Sequence, residues 1–108
     1  MKAYLIDPEK QEVTEVDYSG DYKDIYKLID CSTFEIVGIT PKGDGIYVDE
    51  EGLYAEKKHL WSFKGILFKN HLFNLVNKGL VLGSNIVGDT IESDLSLEEI
   101  KERVVWHW

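Results

Sequence analysis

Apolar and polar positions alternate through "KAYLID" and again through "EVTEVDY", and the intervening "PEKQ" follows Asp7 with Pro8, a pair that favours a turn. A β-hairpin is therefore predicted at the start of the chain, with Thr14, Val16 and Tyr18 on one face. Past Gly20 the period changes. Tyr22, Ile25, Tyr26 and Ile29 recur at three- and four-residue spacing, and Asp21 stands where it can cap exposed amides, so a short amphipathic helix is predicted to pack its stripe on the sheet. "TFEIVGIT" and "IYVDEEG" are rich in β-branched and aromatic residues and flank "PKGDG", which predicts a second hairpin.

Residues 53–78 carry strand-like alternation around Lys64 and Gly65 and a helical turn near His71 to Val76. "KGLVLGS" reads as a buried strand closed by Gly83. Ser96 and Glu99 form a capping box, with Leu95 and Ile100 placed as the hydrophobic staple around it. Leu97, Ile100, Val104 and Trp108 then fall on one helical face, predicting a C-terminal helix of about three turns, with Trp106 and His107 pointing elsewhere. The class expected is α+β: a mostly antiparallel sheet of about five or six strands, with two helices, one after the first hairpin and one C-terminal, covering one face. With 108 residues, a single domain spanning 1–108 is expected.

Composition narrows the chemistry. Cys31 is the lone cysteine, which excludes an internal disulfide and a cysteine-rich zinc site. Long apolar runs and a signal-peptide core are absent, so a cytoplasmic protein with no membrane contact is expected. The net charge of −8 argues against duplex nucleic acid as a partner. That charge is unevenly spread. Residues 57–88 hold five lysines and no acid, leaving seven basic residues against 20 acidic ones, or −13, elsewhere.

The acids of "GDGIYVDEEGL" do not form a calcium loop, because Ile46, Tyr47 and Val48 occupy ligand positions. Asp49, Glu50 and Glu51 are consecutive at a strand end and diverge, so a solvated hairpin end is expected rather than an acid/base pair. His59, His71 and His107 match no compact metal-ligand spacing, and Ser62, Ser84 and Ser96 lack a nucleophile elbow. No enzyme activity, cofactor or metal is expected. Lys57, Lys58, His59, Trp61, Phe63, Lys64 and Lys69 interleave cations with flat rings, which suits a phosphate and a nucleobase; the same rings suit a core equally well. Trp106 and Trp108, together with the opposed charges of segment and body, suggest an interface in a homo-oligomer.

In order along the chain, "MKAYLIDPEKQEVTEVDYSGDYKDIYKLIDC", "TFEIVGIT", "GDGIYVDEEGL", "NKGLVLGS" and the capped "SLEEIKERVVW" resemble DUF3846, a domain of unknown function found in small phage and mobile-element proteins. The resemblance spans nearly the whole chain and implies context rather than chemistry, since it carries over no catalytic residue. Joined to the charge pattern, it yields two expectations. One is a non-enzymatic phage counter-defence protein in the host cytoplasm that sequesters a small anionic nucleotide through the 57–69 segment. The other is an acidic inhibitor of a host defence protein, one form of which is a nucleic-acid mimic.

Overall fold

The computed structural model describes residues 1–39, 44–51, 59–64, 67–68, 75–84, 90–91 and 95–107. Its elements in chain order are β1 (Lys2–Asp7), β2 (Glu12–Asp17), α1 (Lys23–Leu28), β3 (Phe34–Ile39), β4 (Gly45–Asp49), β5 (Leu60–Phe63), β6 (Leu67–Phe68), β7 (Leu75–Val76), β8 (Gly79–Ser84), β9 (Thr90–Ile91), α2 (Leu97–Arg103) and β10 (Val104–His107).

Both predicted hairpins form. β1 and β2 pair from Lys2 opposite Asp17 to Asp7 opposite Glu12, and the Asp7 carboxylate closes the turn by accepting from the Glu9 and Lys10 amides. β3 and β4 pair with a register shift between Ile36 and Gly38. The "KGLVLGS" strand becomes β8, which runs through Ser84 and lies between β1 and β4. Among the described residues the main sheet has seven strands, in the order β2-β1-β8-β4-β3-β6 with β9 paired to β8; β10, β5 and β7 make a separate three-stranded sheet. Every described pairing is antiparallel.

Side chains alternate across the main sheet and build a core on each face. Ala3, Leu80 and Leu82 pack with Ile25 and Ile29 of the α1 region. On the other face Tyr4, Ile6, Ile46 and Val81 pack with Trp61, Phe63 and Leu75 of the small sheet and with Leu95, Ile100 and Val104 around α2. The two helices therefore cover opposite faces, where one shared face was expected. The cause is local. α2 leads directly into β10, and β10 belongs to the small sheet, so α2 is held on that sheet's side.

The C-terminal element also departs from expectation. The Ser96 hydroxyl does cap the helix by accepting from the Glu99 amide, an arrangement worth about 1 kcal/mol. Leu95 and Ile100, the staple pair, are fully buried. The helix stops at Arg103, however, and Val104–His107 becomes a strand. β5 is four residues long and has an edge to fill; Val104 to His107 pair with Phe63 to Leu60 and supply it. β-branched Val104 and Val105 and aromatic Trp106 suit that strand.

α1 is only six residues long and has no side-chain cap at Tyr22, but the Asp21 carboxylate accepts from the Lys23 amide. It ends with Asp30 in the left-handed region (φ 57°) and the Cys31 amide donating to the Tyr26 carbonyl, the closing bond of a Schellman turn. The helical turn expected near His71 to Val76 falls mostly outside the described residues, and its last two positions are strand β7.

Candidate functional site

The residues singled out by their lysine and ring pattern do not assemble into one pocket. In β5, residues 61 and 63 face the main sheet while 60, 62 and 64 face away. Trp61 is 0% exposed and Phe63 3% exposed, so both rings belong to the core and not to a ligand platform. This corrects their assignment as ligand-binding residues. The Trp61 indole N–H donates to the Asn77 carbonyl at 2.7 Å. Asn77, in the left-handed region (φ 61°), is clamped to His59 twice: its amide donates to the His59 carbonyl at 2.8 Å and its side-chain oxygen accepts from the His59 amide at 3.0 Å. This corner carries the chain from the small sheet into β8.

Lys64 is exposed at the end of β5, where its carbonyl accepts from the Arg103 guanidinium and its amide donates to the Arg103 carbonyl. On the same outer strip Ser62 Oγ and His107 Nε2 lie 2.9 Å apart. Lys57, Lys58, Lys69 and Trp108 lie outside the described residues.

His59 points the way to a different place. With Lys78 and Asn77 it borders a cleft of about 200 Å³ at one end of the main sheet, and the cleft's acidic walls are Asp7, Glu9, Asp30 and Asp49. These four carboxylates come from the end of β1, the first turn, the end of α1 and the end of β4. Three of these residues take part in the turns that end their elements. Asp7 caps the first turn, Asp30 closes α1, and the Asp49 carboxylate accepts from the Glu51 amide at 2.9 Å. The arrangement suits a cationic group entering between carboxylates. Among the described residues no cluster of histidine, cysteine, aspartate or glutamate is placed to hold a metal ion.

The solvated hairpin end expected for Asp49, Glu50 and Glu51 is only partly found, and Asp44 just upstream is buried. Glu50 and Glu51 are exposed, Asp49 is half-buried in the cleft, and Asp44 is 2% exposed at the base of β4. The next residue, Gly45, is paired with Ile39 on one side and Leu82 on the other, which draws Asp44 in between strands. Nothing in the spacing of Asp7, Glu9, Asp30 and Asp49 along the chain announces their meeting. The usable signal was their position at element ends.

A second concavity, a groove of about 540 Å³, lies between Gln11–Thr14 of the β2 side and Lys101 and Trp106 of α2 and β10. Trp106 is half-buried, with its ring packed against the core and also forming a groove wall.

Residues 1–104 match the family model of DUF3846, a domain of unknown function. The chain belongs to that family. The DUF3846 match takes in both sheets up to the first residue of β10, all four cleft carboxylates, and the β2 side of the groove. No curated protein and no solved structure matches the chain. No helix among the described residues is long and apolar enough to cross a membrane.

Next to the cleft of this DUF3846 chain, Cys31 has its thiol pushed up to about 11, first by burial and then by the charges of Asp49 and Asp30. Only the thiolate is a good nucleophile, so the group is inert near neutrality. Alkylation of the folded protein by iodoacetamide is expected to stay slow through pH 9 and to accelerate as the pH approaches about 11, while the urea-unfolded chain reacts with an ordinary thiol profile. A rapid reaction of the folded protein at pH 8 would contradict this placement.

Proposed function

We propose that this DUF3846 protein is a non-enzymatic inhibitor that binds a protein partner through its acidic surface, covering a basic face with which the partner otherwise holds nucleic acid. The observation that carries the reading is the convergence of Asp7 and Glu9, Asp30, and Asp49, from the ends of β1, α1 and β4, on one concave site. A net charge of −8 adds long-range attraction towards such a face and makes the association salt-sensitive. A host defence enzyme with a nucleic-acid groove is the class of partner that fits.

Sequestration of a small anionic nucleotide takes second place. That reading needed rings beside lysines, and the two described rings are in the core. It keeps Lys64, on a strip with Ser62 and His107. Calorimetric heat with cyclic nucleotides, lost in Lys64→Ala, would return it to first place.

The test of the leading reading uses the double variant Asp30→Asn with Asp49→Asn, in which the amide oxygen at position 49 can still accept from the Glu51 amide and asparagine tolerates the left-handed backbone at position 30. A partner captured by the wild-type protein at low ionic strength is expected to associate several-fold more slowly with the variant and with a flatter salt dependence. Capture indifferent to both salt and variant would remove the proposal.

A further inference from the structure

We infer that the groove between β2 and β10 is where a partner docks, and that the occupant is an extended protein segment bearing lysine or arginine, laid along the free edge of β2. The inference deepens the acidic-inhibitor reading and rests on it.

β2 is the first strand in the order of the main sheet, so among the described residues it pairs on one side only, with β1. It is six residues long and regular, and among the described residues no strand pairs with its second edge, which can therefore take an added strand. β10 is likewise the terminal strand of the small sheet. Residues of both strands line the same groove, Val13 from β2 and Trp106 from β10.

The chemistry of the walls selects the occupant. Glu12 and Thr14 line the groove, and Glu15 and Asp17 continue the exposed row along β2 beyond it, with Asp17 shared with the N-terminal ammonium at 2.9 Å. An incoming strand therefore runs beside carboxylates. Charges on an edge strand also discourage pairing between copies of an acidic protein, which accounts for Glu12 and Glu15 by themselves. It does not account for a tryptophan left half-buried in the facing wall. A ring packed against the core and lining the groove, across from Glu12, suits the alkyl stem and charged head of a lysine or arginine. Lys101, the one cation described in the lining, stands on the helix side and not on β2. A flat sheet edge flanked by carboxylates and a ring fits a cationic strand better than an anionic one or an acidic second copy.

The probe is a synthetic peptide alternating valine and lysine, with a valine–glutamate peptide as its control, titrated into the isotope-labelled full chain and followed by amide and indole shifts. The lysine peptide is expected to shift the amides of residues 11–17 and the Trp106 indole, and the glutamate peptide to shift neither. Glu12→Lys with Glu15→Lys, both fully surface changes, is expected to abolish the shifts. Trp106→Leu, which keeps an apolar contact but removes the ring face, should weaken binding by about fivefold. Lysine-peptide shifts confined to the cleft around Asp30 and Asp49 would overturn the groove and leave the acidic-inhibitor reading standing. Binding of neither peptide would overturn both. Broadening of the β2 resonances with protein concentration alone would replace the partner segment with a second copy of the chain.

Discussion

Gly79→Ala is expected to cost the fold about 3 kcal/mol, seen as a large fall in the urea midpoint with an unchanged slope. Gly79 opens β8 and is paired with Ile6 on one side and Val48 on the other, so its backbone is held between two strands and cannot shift away. A Cβ built there runs into Cζ2 of Trp61 and lies 2.9 Å from its Cη2. The ring in turn cannot swing aside, because it is fully buried and its indole N–H is tied to the Asn77 carbonyl. The backbone of Gly79 is not in the left-handed region, so the cost is steric contact alone. A variant with wild-type stability would mean that the indole does not lie on this glycine.

Trp61→Ala carries the second large effect, about 4 kcal/mol, through the lost burial of the largest core side chain and the cavity left behind. It also removes the bond to Asn77 that fixes the corner between the small sheet and β8. The two substitutions are coupled. Once the indole is gone, the added methyl at position 79 enters vacated space, so the double variant should be more stable than the sum of the single costs predicts, by about 1–3 kcal/mol. Strict additivity would refute the contact. The same experiment bears on function: a core tryptophan lowers stability when removed but leaves ligand affinity of the folded fraction unchanged, whereas a stacking platform would lose affinity with little loss of stability.

The pairing of Trp61 with Gly79 shows what a linear reading misses. Period-two spacing puts Trp61 and Phe63 on one face, and they are on one face. Whether that face meets water or core depends on a second sheet whose strands come from residues 60–63, 75–76 and 104–107, and no local pattern states that they assemble. The same limit applies to the C-terminus. "RVVWHW" supports both a helical stripe and a β-branched strand, and the hydrogen-bonding edge of β5, some 40 residues earlier, selects the strand from Val104 onwards. At the cleft, the turn and cap propensities of Asp7, Asp30 and Asp49 are each legible, but their meeting follows from three chain ends stacking at one end of the main sheet.

What the amino-acid sequence determined by itself is therefore everything carried by neighbours along the chain: the first two hairpins, the short helix after Gly20, the buried strand at "KGLVLGS", the Ser96 cap with its Leu95 and Ile100 staple, and the family to which these belong in that order. Those signals act over a few residues, through backbone sterics, side-chain alternation and local hydrogen bonds. Only the tertiary structure decided that the helices take opposite faces, that the aromatic half of the lysine-rich segment is core, and that scattered carboxylates share a cleft. Each of these depends on contacts between residues far apart in sequence, where burial and strand pairing outweigh any preference that a residue expresses on its own.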